Sequence, residues 1–296
     1  LEYEAISNSP VTDITISNRR KTYRFAVTKP LSTYLFAFAA GKFERIEKEV
    51  NGIKMEMLHR ETRSEYISNN ADEIFRLHYN SIRWLDDYTG IEYPFDKFGF
   101  VLIPSFQYSG MEHPGSICYR SSALLLEENP TLNEQLSRSS LIAHETSHIW
   151  FGDLVTMKWF DDVWLKEVFA GFISDKIVNP DFPDVNHDLR FLLSRYPAAY
   201  SVDRTGGSNP VIQKLDNLKN AGSLYGKIIY NKAPVVMKHL EMITGSEGLR
   251  KGLRKYLSQY AFGNAKWDDL ISILEDETSL ELESWSTVWV KESGMP

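Results

Sequence analysis

Residues His144-Glu145-Thr146-Ser147-His148 combine two imidazoles and a carboxylate at a spacing that suits metal chemistry. On a helix, side chains at i and i+4 leave the same face about one turn apart. Two histidines so placed can share one tetrahedral zinc ion. Glu145 lies beside the first imidazole and about a turn before the second, within reach of a water on the metal without ligating it. A further acid, Glu167, follows after eighteen intervening residues. Two neutral imidazoles and one carboxylate leave a coordination position open, the pattern of a catalytic zinc site holding one ion per chain. Two histidines satisfied in an ordinary core helix would give the same string. However, Leu141, Ile142 and Ala143 precede it and Ile149, Trp150 and Phe151 follow. Unpaired ionisable groups on such an apolar helix would be costly, and a metal satisfies them together.

The elements that must position these groups can be read in turn. Residues 1–60 read as β: residues 22–27 alternate with period two, and residues 34–40 form a short apolar run. Asn51-Gly52 between residues 44–50 and 53–58 is a two-residue hairpin signal. Phe75, Tyr79, Ile82 and Leu85 form one face of a helix expected over residues 70–88, with Gly90 as its stop. Phe98–Ile103 reads as a strand closed by Pro104, and residues 105–130 as irregular. The motif helix is expected over residues 133–151 and a second helix, carrying Glu167, over Val163–Val178. A short helix at residues 189–196 precedes a polar loop at 205–210. Asn231 is a candidate helix cap with Pro234 in the first turn. Amphipathic helices follow at 246–260 and 265–276. Strands first and helices later predict an α+β fold, with the catalytic helices beside a small sheet.

At 296 residues, 43% of them hydrophobic, the chain can bury a full core. A net charge of −7 and the lack of a polybasic block argue against a nucleic-acid partner. The one cysteine, Cys118, rules out an intramolecular disulfide and leaves the compartment undecided. No apolar run approaches a membrane span. Leu1-Glu2-Tyr3-Glu4 has neither the basic start nor the apolar segment of a signal peptide, so the sequence is expected to be internal to a longer protein.

Three stretches resemble the zinc aminopeptidases of the aminopeptidase N and leukotriene hydrolase family. Ser109-Gly110-Met111-Glu112-His113 is similar to the family's GAMEN exopeptidase signature. Residues 143–159, running on through 162–170, resemble its zinc-binding segment, and residues 225–232 its tyrosine segment. The resemblance implies a thermolysin-like catalytic domain at residues 49–296, preceded at 1–48 by the last strands of a β-rich N-terminal domain. It implies peptide substrates with a free N-terminus, and further domains of the same parent protein as partners.

By that resemblance His144, His148 and Glu167 bind zinc and Glu145 is the general base. Glu112 would hold the substrate's α-ammonium by a charge-assisted hydrogen bond. Gly110 and Met111 would align the peptide as an added strand. Tyr230 would donate its hydroxyl to the tetrahedral oxyanion, and Tyr225 could line the same site. Asp162 could orient a ligating histidine, or be a solvated residue at a helix start. Lys232 is expected to be structural, and the histidines His59, His78, His187 and His239 structural or surface residues. Three positions depart from the family pattern: His113 in place of Asn, and Lys166 and Val168 flanking Glu167 in place of Asn and Gly. They bear on rate and substrate preference. A thermolysin-type endopeptidase and a non-catalytic zinc-holding domain are the competing readings.

Overall fold

The computed structural model describes residues 1–223 and 226–294. The chain divides into two compact units, Leu1–Asp86 with Glu92–Ile149, and Asp87–Ile91 with Trp150–Pro296. Helices and strands both contribute, the sheets lying mainly early in the chain, so the fold class is α+β.

In the first unit, β1 (Glu4–Ser7) pairs with β4 (Phe38–Gly41), and β2 (Val11–Ser17) with β3 (Arg20–Phe25), both antiparallel. The apolar run at 34–40 is only partly strand: a turn of 3₁₀ helix, Thr33–Leu35, buries Leu35 before β4 begins. Strands β5 (Glu44–Val50) and β6 (Ile53–His59) form the expected hairpin. Asn51 and Gly52 both take positive φ, 47° and 87°, as a turn matching the twist of its strands requires.

Helix α1 (Ser64–Thr89) starts six residues before the expected point and is the crossover to β7 (Phe98–Ile103). A parallel pair needs such a crossover. Strand β7 lies between β6 and β9 (Ile117–Arg120), parallel to both. It is buried along nearly its whole length, which is why its sequence is a continuous apolar run without alternation. The sheet order is β5-β6-β7-β9-β8, with the two-residue strand β8 (Gly110–Met111) antiparallel at the edge. Residues 105–130 are therefore not irregular. They hold β8, β9 and α2 (Ser121–Leu124), elements too short for periodicity to register. Helix α3 (Leu132–His148) completes the unit.

The second unit is mostly helical. Strand β10 (Val155–Met157) pairs in parallel with β11 (Gly263–Ala265). Helix α4 (Val163–Val178) has the expected bounds and is buried on nearly all sides of its first half. Helix α5 (His187–Asp203) is twice the expected length and continues past Pro197. Asn231 caps nothing: it lies inside a turn of π-helix, Ile228–Lys232, that runs directly into α6 (Ala233–Thr244), with Pro234 in the first turn. Helices α7 (Ser246–Gln259), α8 (Trp267–Thr278) and α9 (Glu283–Ser286) follow. Among the described residues no helix is long and apolar enough to cross a membrane.

Candidate active site

Helix α3 begins with a capping box. The Thr131 hydroxyl accepts from the Glu134 amide, and the Glu134 carboxylate accepts from the Thr131 amide. Two amides that the helix cannot satisfy internally thereby gain partners, and the register of the following turns is set from that end. The last turn carries the motif. The Nε2 atoms of His144 and His148 lie 3.1 Å apart, with the two rings perpendicular. Two nitrogens on opposite ends of a tetrahedral edge around zinc stand about 3.3 Å apart, given Zn–N bonds of ~2.0–2.1 Å. The pair therefore fits the ion. Thr146 and Ser147 do not compete for it, because their hydroxyls donate to the Ile142 and Ala143 carbonyls of their own helix at 2.7 Å.

Glu145 is buried, and so is Glu112, at the end of β8. Ligand atoms of Glu112, Glu145 and His148 all lie within 4.8 Å of one another. This closeness depends on Gly110. A methyl group on its Cα would sit 2.6 Å from Glu145 Cγ, well inside contact distance. Two buried carboxylates so near each other repel when both are ionised, and a cation between them relieves the repulsion. Cys118 stands opposite Met111 in the β8–β9 pairing, close enough to Glu145 to feel its charge. Burial, then the negative charge of Glu145, pushes its thiol up to about 12, so it stays protonated. Tyr119 is raised well above its ordinary value for the same two reasons, in the same order.

The loop after β8 is tied to the N-terminal strands. The Asn8 side-chain amide donates to the carbonyls of Leu35 and Pro114 at 2.9 Å and accepts from the Ala37 amide. His113, one of the departures from the family pattern, places Nδ1 at 3.1 Å from the Leu35 carbonyl and so pins the same loop. Sequence reasoning missed Asn8, since a lone asparagine near a strand end carries no signal. The segment before β8 is held by Arg120, whose guanidinium donates to the carbonyls of Phe106 and Gln107.

His78, expected to be structural, is wholly enclosed. It stacks on Phe100, places Nδ1 at 2.8 Å from the Ile74 carbonyl and Nε2 at 3.1 Å from the Tyr119 hydroxyl. Burial pushes its imidazole down to about 4. The Ile74 carbonyl can only accept, so Nδ1 carries the proton and Nε2 accepts from Tyr119.

In the second unit, Glu167 is buried on α4, and its Oε1 is 3.3 Å from Lys166 Nζ. Asp162 stands at the start of the same helix. Burial pushes its carboxyl up to about 6, against a hydrogen bond from the Trp267 backbone. Tyr230 lies in the π-turn, the residue 40% exposed, and its carbonyl accepts from Arg195 at 2.6 Å. Lys232 is structural, as expected: its buried ammonium pairs with Asp203 at 2.9 Å and donates to the Gly294 carbonyl. Tyr225 lies outside the described residues.

Comparison with known proteins identifies the family. The peptidase family M1 domain matches residues 75–293. The probable aminopeptidase 2 of Sulfurisphaera tokodaii is 31% identical over 298 residues, covering 100% of this chain and 37% of the relative. The puromycin-sensitive aminopeptidase of Caenorhabditis elegans is 32% identical over 293 residues, covering 98% and 30%. The leucyl aminopeptidase of Saccharolobus solfataricus is 29% identical over 295 residues, covering 99% and 37%. The chain thus spans about a third of the length of these curated relatives. With the M1 domain matching over most of its length, the chain belongs to peptidase family M1.

Proposed function

We propose that this chain is the catalytic part of a zinc-dependent aminopeptidase that hydrolyses the first peptide bond of peptides with a free N-terminus. The observation that carries this reading is the buried grouping of Glu112 with Glu145 and His148 at the edge strand of the sheet. A second buried carboxylate there suits an enzyme that must hold a free α-ammonium beside the bond it breaks.

His144, His148 and Glu167 would hold the ion, the last assigned from its spacing in the sequence. When bound, zinc supplies Lewis-acid polarisation of the scissile carbonyl and acidifies water. Glu145 takes the proton from the attacking water and returns it to the leaving amine. Glu112 binds the α-ammonium, fixing the distance from the amino terminus to the bond that breaks. The edge position of β8 leaves Gly110 and Met111 able to take the peptide as a further strand. The Tyr230 hydroxyl stabilises the oxyanion. We assign the catalytic region, residues 49–296, to the thermolysin-like class and residues 1–48 to the end of a preceding β domain. The other domains of the parent protein would complete the enzyme.

The test is metal content together with hydrolysis of free and N-blocked aminoacyl amides by the chain, its Glu145→Gln variant and the full-length parent. One zinc per chain and cleavage of only the free-amine substrates, lost in the variant, are expected. Cleavage of blocked peptides would make it an endopeptidase. Absence of zinc binding would overturn the reading altogether.

A further inference from the structure

We propose that Lys166 weakens metal binding at this centre by competing with the ion for the Glu167 carboxylate. The inference rests on the reading of Glu167 as a ligand and goes beyond it. The Lys166 ammonium is 3.3 Å from Glu167 Oε1, and the two side chains are only 6% and 8% exposed. They lie in the first turns of α4 among Val163, Trp164, Leu165 and Val168, all buried. In such surroundings an ammonium and a carboxylate persist as a pair, because each neutralises the other's burial cost.

Two consequences act in the same direction. Without metal, the pair stabilises Glu167 in its buried position. With metal, a dication must share that carboxylate with a like charge a few ångströms away. One effect opposes them, since the lysine also restricts the carboxylate to one orientation. Fixing one rotamer contributes about two- to tenfold in affinity. A like charge close to a dication in a poorly solvated place contributes about tenfold or more. Repulsion therefore wins.

Lys176 provides the control. It lies on the same helix, but its ammonium pairs with Glu241 at 2.5 Å and is more exposed, at 27%. Zinc affinity is measured by competition with a chromophoric chelator, alongside melting with and without zinc. The proteins are the chain and its K166M, K166Q, K166R, K176M and E167Q variants. K166M and K166Q should bind zinc about tenfold tighter or more. Their metal-free forms should melt lower, so that zinc raises their melting temperature by more than the parent's. K166R and K176M should match the parent. If E167Q lowers affinity but neutral substitutions of Lys166 leave it unchanged or lower, the inference falls and the ligand assignment stands. If E167Q binds zinc like the parent, the ligand assignment itself falls.

Discussion

Gly110 and Glu145, on an edge strand and a helix, approach so closely that no side chain fits between them: a methyl at Gly110 would reach within 2.6 Å of Glu145 Cγ. The glycine is there for space, since its φ is not among the positive values. Gly110→Ala should therefore displace Glu145 or the strand. A misplacement of about 1 Å in a catalytic group costs on the order of 100-fold in rate. Overpacking costs about 1–3 kcal/mol in stability. Steady-state kinetics on a free aminoacyl amide and urea unfolding would check both. Parental kcat/KM in this variant would sink the claim that the contact sets the position of the base.

The two site carboxylates should fail differently when neutralised. Glu145→Gln keeps its shape but cannot take a proton, so kcat should fall by about 10²–10⁴ while bound metal persists. On the proposed reading, Glu112→Gln removes the charged partner of the substrate amine. Its main effect should be a raised KM for free-amine substrates, with discrimination against blocked ones reduced. Equal effects of both variants on kcat alone would argue against separate roles.

His78 makes stability depend on pH. Its ordinary value of 6.5 applies to the unfolded chain, and burial lowers the folded value to about 4. Below pH 6.5 the unfolded chain takes up a proton that the folded one refuses. The stabilisation is full above 6.5 and is lost as pH falls towards 4, a loss of about 3 kcal/mol at most. Asp162 acts with the opposite sign: raised to about 6, it contributes most at low pH and loses that contribution as pH rises through 6. Comparing the parent with His78→Gln cancels the Asp162 effect. Urea unfolding at pH 7, 5.5 and 4.5 should show a shallower acid loss in the variant, and parallel curves would refute the assignment.

Lys232 and Asp203 form a buried pair, with Ser208 donating to the same Asp203 oxygen at 2.8 Å. Lys232→Met leaves that carboxylate buried without its cation and should cost about 3–5 kcal/mol. Adding Asp203→Leu should recover much of the loss, because the uncompensated charge is removed as well. Additive unfolding free energies for the two substitutions would show that the pair does not act as a unit.

Local order was legible in the residues. The motif histidines meet because 3.6 residues per turn puts i and i+4 on one face, whatever surrounds the helix. The Asn51-Gly52 hairpin and the bounds of α4 follow from similarly short-range rules, and strand β7 announced itself as an unbroken apolar run. Tertiary structure decided what distance along the chain conceals. Glu112 and Glu145 lie far apart in sequence, and only the pairing of β8 with β9 carries Glu112 to the helix. Strands of two and four residues leave no periodic trace, so residues 105–130 resembled a loop. The π-turn before α6 moved Asn231 from cap to interior, since the i→i+5 bonding there continues the helix backwards past the asparagine. The enclosure of His78, and the meeting of Lys166 with Glu167 out of water, likewise follow from packing. Sequence spacing specifies which side chains share a face of one element. Burial and proximity between elements are cooperative properties of the folded chain, and they set the charge environment in which those side chains act.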